Sequence, residues 1–230
     1  GGRRRNGGRN IGGWSRMKWD WLSSNFSRLV ELGIAHANLA WPPILLALLV
    51  ALPIGWVAHR YRRIREIVVG LSSALYIIPS LALFILLPLV IGTSVLSSLN
   101  VIIAMTLYGL ALQVRSTADS FDTVPAAVAS ATTAMGYSPL QRVFQVELPL
   151  AGPGIIAGLR VVSASTISLI SVGALVGVHS LGTLFTEGFQ RNFPTQIIAG
   201  FVGTVLLAVL FDLLLVLIGR VLLPWARKAS

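Results

Sequence analysis

Few side chains in this sequence could do chemistry within apolar surroundings, and two of them carry opposite charge. Arg160 and Asp212 each sit inside a long hydrophobic stretch. A charge at the centre of a bilayer costs roughly 2.5–3.5 kcal/mol on insertion scales. Asp212 must therefore face neighbouring helices, take up a proton or pair with a base, and Arg160 is a candidate partner. A proton or cation relay is the sharper alternative. Arg160 begins about 9 residues, or roughly 13 Å, into its stretch, so its side chain could also snorkel to headgroups. Other chemistry is sparse. His36, His59 and His179 are scattered without ligand spacing, cysteine is absent, and no metal site is expected. The only lysines are Lys18 and Lys228, and neither follows a glycine-rich phosphate loop, so the chain cannot hold ATP by that device.

The elements that must position these residues are membrane spans. Of 230 residues, 55% are hydrophobic and 11% charged, against about 25% charged in an average soluble domain. A mean hydropathy of +0.80 agrees. The net charge is +10, with seven of eighteen basic residues in the first 28 positions and a second cluster at Arg60, Arg62, Arg63 and Arg65. Basic residues flanking apolar spans read as topology signals, and nucleic acid is not an expected partner. A span needs roughly 20 apolar residues. Five segments qualify: 39–58, 67–91, 95–114, 151–176 and 196–223. Residues 1–18 are read as a disordered basic tail, 19–36 as an amphipathic helix on the membrane surface, and 224–230 as a cytoplasmic tail. The arginines of 59–66 place that loop in the cytoplasm, with 115–150 and the C-terminus on the same side. Five spans then put the basic N-terminal tail outside, against its own charge. Pro79, in Tyr76-Ile-Ile-Pro79-Ser80, predicts a bend in the second span.

The 122–149 segment is the longest polar interruption, and it is patterned as structure. Asp122-Thr123-Val124-Pro125 reads as a helix start. Small residues follow from Ala126 to Met135, and Gly136 suits a left-handed stop. Ser138-Pro139-Leu140-Gln141 opens a second helix with a capping box. Leu140, Val143, Phe144 and Leu148 share one face, and Pro149 marks the return into the membrane. A small-faced helix can be approached closely by another protein, and the same features fit a loop packed on its own bundle. In and just past 151–176 the Gly154/Gly158 and Gly173/Gly177 pairs permit close helix approach, either in ordinary packing or along a permeation path between subunits. Ser163, Ser165, Thr166, Ser168 and Ser171 add hydroxyls there, and Gly173–Gly182 reads as a broken helix end.

Ser130-Ala131-Thr132, three residues, Gly136, nine residues and then Val146-Glu147-Leu148-Pro149 resemble the Glu-Ala-Ala…Gly…Ile-x-Leu-Pro signature of permeases of binding-protein-dependent ABC importers. Ser130 stands where that family carries its glutamate. Ile78-Pro79-Ser80-Leu81-Ala82-Leu83, Ala157-Gly158-Leu159-Arg160 and Ser180-Leu181-Gly182 are similar to permeases for glycine betaine, choline and related quaternary-ammonium osmoprotectants. The resemblance covers about 30–223 and implies an all-α membrane protein of the type I importer permease fold in the bacterial plasma membrane. It implies about five transmembrane helices, a cytoplasmic coupling helix and no catalytic residues. ATP and Mg would sit on a partner ATPase. It implies a cytoplasmic ATP-binding subunit, a second permease copy or homologous permease, an external substrate-binding protein and membrane lipid as partners. ATPase contact would fall on Ala126, Ala127, Ser130, Ala131, Thr132, Met135, Gly136 and Tyr137. Because a quaternary ammonium is held by aromatic faces, Tyr76, Phe84 and Tyr108 become candidate pathway residues, with Pro79, Ser80, Thr166 and Ser168. An ion-driven secondary transporter, which should show inverted repeats and paired intramembrane acids, and a membrane scaffold are the alternatives.

Overall fold

A computed structural model describes residues 18–94 and 96–225. Helix α1 (Trp19–Ser24) ends at Asn25, and α2 then runs unbroken from Phe26 to Arg60. This corrects the expectation of one surface helix over 19–36. Leu32 and His36 continue the buried stripe of Leu39, Ala40, Ile44, Ala47, Ala51 and Ala58, so 26–36 packs on the bundle as the opening turns of the first span. His36 Nε2 lies 2.9 Å from the Ile167 carbonyl oxygen.

The expected second span is two helices, α3 (Arg62–Ile77) and α4 (Ser80–Ile91), bent by 101°. Proline at 79 has no amide to donate to the Leu75 carbonyl, which takes the Ile78 N–H at 3.3 Å instead, and the carbonyl of Ile78, extended at the bend, accepts a hydrogen bond from the Tyr108 hydroxyl. The Tyr76 ring meets Tyr108 edge-on at 5.7 Å. Four helices among the described residues are long and apolar enough to span, and five spans result if this bent pair crosses once.

Helix α5 (Ser98–Asp122) is longer than the 95–114 expectation. Acids in its last turn oppose the helix dipole, but Asp119 and Asp122 are bound from the α2–α3 turn. Arg65 lies 2.5 Å from Asp119 and 2.6 Å from Asp122, and His59 Nδ1 lies 2.5 Å from Asp122. Helix α5 is central, packed by α2 on one side and α8 (Leu148–Ile170) on another. Small residues set the spacing: a Cβ on Gly55 of α2 would lie 2.6 Å from the Thr117 Cβ, and one on Gly158 of α8 would collide with Ser116. The Gly154/Gly158 pair thus serves packing against α5 within this chain. The core lies between these helices and α4, around Leu39, Phe84, Met105, Leu159 and Ile167.

Between α5 and α8 come α6 (Ala126–Ala134) and α7 (Pro139–Arg142). A π-helical turn, Val143–Glu147, joins α7 directly to α8. Pro149 therefore marks no break in this helical run. The broken end expected after 173 is a 3₁₀ turn, Ser171–Val176, closed by Gly177 at φ 85°. Residues 177–195 contain α9 (Gly182–Gln190), and α10 (Pro194–Leu222) completes the bundle. The tails 1–17 and 226–230 lie outside the described residues, while Trp225 donates its indole N–H to the Pro149 carbonyl at 3.2 Å.

Candidate coupling element and solute pathway

Helix α6 forms from Ala126, but the expected caps do not act. Asp122 ends α5, bound by His59 and Arg65, and Pro125 occupies the cap position with no side-chain bond. Ala126, Ala127, Ser130, Ala131 and Ala134 are all exposed. At helical spacing of three to four residues they form one outward face of small side chains. Met135 and Tyr137 project at its end, 66% and 37% exposed. Thr132 is corrected: it is buried, and its hydroxyl bonds back to Ala129. Gly136 has φ 85°, a left-handed conformation that a side chain would strain, and it lets the chain turn into α7. There Ser138 and Gln141 form the expected capping box.

A linkage missing from the sequence reading ties this element to the bundle. Arg142 Nε lies 2.7 Å from Glu147 Oε1, and the Trp56 indole N–H of α2 donates to Glu147 Oε2 at 3.0 Å. Arg142 also reaches the Thr133 hydroxyl of α6 at 3.4 Å. Glu147 is 5% exposed. Arg142 and Glu147 are five residues apart, which an α-helix places on different faces. The π turn, whose bonds run i→i+5, brings them onto one. The available signal was that Glu147 is the sole acid between Asp122 and Glu187.

The anticipated intramembrane charges meet. Arg160 Nε and Nη2 donate to Asp212 Oδ1 and Oδ2 at 2.6 and 2.8 Å, a two-pronged pair. It lies on the bundle's outer surface, with side chains 44% and 37% exposed. The pathway candidates divide. Tyr76, Pro79 and Ser168 are exposed and Ser80 is half-buried. Phe84, Tyr108 and Thr166 are buried at 1%, 5% and 2% exposure. Phe84 belongs to the core and Tyr108 holds the α3–α4 bend, so in this conformation these three face the bundle interior.

At the end opposite α6, Glu187 of α9 accepts from Arg28 of α2 and from Gln196 of α10, each at 2.6 Å. Partial burial opposes ionisation of Glu187, but these two hydrogen bonds and the charges of Arg28 and Arg191 outweigh it and hold the carboxyl below its usual range.

A helical membrane bundle with a broken span and a short docking-type helix between two later spans has the fold of an ABC importer permease. The inward-facing MetNI methionine ABC transporter matches with a TM-score of 0.75 at 20% identity, covering 86% of this chain and 97% of that one. An amino acid ABC transporter solved with histidines matches at 0.70, with 14% identity, 89% of this chain and 99% of that one. Residues 32–228 match the family described as binding-protein-dependent transport system inner membrane component, and the chain belongs to that family. It is thus a multi-pass permease subunit of the bacterial plasma membrane. The glycine betaine/carnitine/choline transport system permease protein OpuCD of Bacillus subtilis is 34% identical over 90% of each chain. The osmoprotectant import permease protein OsmW of Salmonella typhimurium is 31% identical over 89% of this chain and 96% of its own length. The choline transport system permease protein OpuBD of Bacillus subtilis is 33% identical over 81% and 82%.

Proposed function

We propose that this subunit forms the pathway of an importer for a small quaternary-ammonium solute of the betaine or choline type. ATP would be hydrolysed, with Mg, on a separate cytoplasmic subunit. The observation that carries the coupling half of this reading is the small, exposed face of α6 ending at the left-handed Gly136. A convex helix free of long side chains suits a groove on another protein, and contact there can reach the spans by two rigid routes. One is the unbroken run from α7 through the π turn into α8, and the other is the Arg142–Glu147–Trp56 connection to α2. Packed elements of this kind transmit displacement as discrete shifts rather than by bending. Ser130, where the family signature has glutamate, leaves docking to shape and to Met135 and Tyr137.

The solute class is supported by the printed names of the relatives matched over most of the chain. In this reading two permeases face one another, an external binding protein delivers the solute, and closure of the ATPase pair opens the pathway outward. The test is uptake of labelled glycine betaine, choline and carnitine into vesicles that hold the full complex. Uptake is expected to need both ATP and the binding protein. Uptake that persists without the ATPase subunit, or none of these solutes taken up, would refute it.

A further inference from the structure

We infer that the Arg160–Asp212 pair is a transit site for the solute, able to distinguish a zwitterion from a simple cation. The inference rests on the function proposed above and deepens it. Arg160 lies 12 residues into α8 and Asp212 lies 10 residues before the end of α10, or about 18 and 15 Å along their axes. This is close to mid-depth in a hydrocarbon layer about 30 Å thick. Two charges at that depth are retained only where protein or water meets them, and within this chain the pair is left partly open. The surface beside the pair on α8 is small and partly polar. Ala157 and Ala164 are exposed one turn to either side on α8, beside Val161, and Ser168 is exposed one turn beyond. The facing surface of α10, in contrast, is leucine and valine.

The pair itself leaves bonding capacity unused. Guanidinium has five N–H donors, and two are given to Asp212. The other three suit a carboxylate, while the outer face of the Asp212 carboxylate suits a quaternary ammonium, which needs negative charge and no hydrogen bond. A betaine carries both groups, so it fits antiparallel to the pair with its carboxylate on Arg160 and its cation beside Asp212. Choline lacks the carboxylate and would use Asp212 alone.

The assay is ATP-driven uptake of glycine betaine and of choline by the complete complex in vesicles, with ATPase stimulation by loaded binding protein read in parallel. Arg160→Gln should lower glycine betaine uptake at least about tenfold and choline uptake by a clearly smaller factor, since it removes the carboxylate's donor but also the counter-charge of Asp212. Asp212→Asn should lower both, and ATPase stimulation should persist in each variant. Arg160→Lys keeps a charge in the bilayer but loses the planar fork; it should shift uptake in the same direction, and it decides the matter if Arg160→Gln does not assemble. Parallel loss of both solutes in the arginine variants, or no loss, overturns the inference. So does a wild type that imports choline alone. If the wild type imports only glycine betaine, retention of that uptake in either Arg160→Gln or Asp212→Asn overturns it. No ATP-driven uptake of either solute by the wild type refutes the proposed function instead.

Discussion

Glu147→Ala is the perturbation that most sharply tests how α6 is held to the bundle. The substitution deletes the anion beside Arg142 and the acceptor of the Trp56 indole N–H. Removing one partner of a buried ion pair costs about 3–5 kcal/mol. The Arg142 side chain is 20% exposed and the Glu147 side chain 6%, so water relieves part of the stranded arginine's charge. The lost indole bond adds about 0.5–1.5 kcal/mol. A net loss of about 2–4 kcal/mol is expected, and less for Glu147→Gln, which still accepts from Trp56. Equilibrium unfolding of the solubilised complex measures it. A double-mutant cycle with Arg142→Ala should return a coupling of about 1–3 kcal/mol. In vesicles the same variant should hydrolyse more ATP per solute imported, because α6 is less firmly joined to α2. An additive cycle, or a Glu147→Ala protein as stable as wild type with unchanged ATP per solute, would refute the linkage.

Other perturbations probe other parts of the account. A non-glycine residue at 136 must adopt φ 85°, which costs about 1–2 kcal/mol, and proline, with φ locked at about −65°, cannot adopt it and must displace the turn; Gly136→Pro, together with Ala131→Trp on the exposed face of α6, should uncouple hydrolysis from uptake while the subunits still co-purify. Gly55→Ala drives a Cβ to 2.6 Å from Thr117, whereas Gly70→Ala meets nothing within 4 Å. The first should destabilise by about 1–3 kcal/mol and the second should be neutral or slightly stabilising, as read from thermal unfolding. Glu187 ionises more readily in the folded protein than its ordinary value of 4.5, so its staple to Arg28 and Gln196 contributes fully above that value and is lost as pH falls through the lower folded one. Melting temperature followed from neutral to acid pH should drop below about pH 4.5 in wild type, and Glu187→Gln should flatten that acid limb.

Much of this fold was legible because its signals are local. Hydropathy located the spans, Pro79 the bend, and Gly136 with Ser138 and Gln141 the turn into α7. The charge pair was legible too, since two isolated ions in apolar helices have few other partners. What escaped the sequence is non-local. Phe26 rather than Leu39 begins the first long helix because Leu32 is buried against Leu181 and Leu184 and His36 against the Ile167 carbonyl, all distant in sequence. The Arg142–Glu147 pair depends on a π turn that no residue type announces. Phe84 and Tyr108, offered as pathway aromatics by the resemblance, lie in this conformation within core packing and against the Ile78 carbonyl.

The most direct measurement of the central claim uses the chain's lack of cysteine. Ala131→Cys introduces one small, exposed thiol on the outer face of α6, and a short thiol-reactive cross-linker should join it to the cytoplasmic ATPase subunit in the assembled complex. A yield that changes between nucleotide-free and ATP-bound complex is predicted. Cross-linking absent in both states, with the complex assembled and transporting, would contradict α6 as the surface on which the ATPase acts.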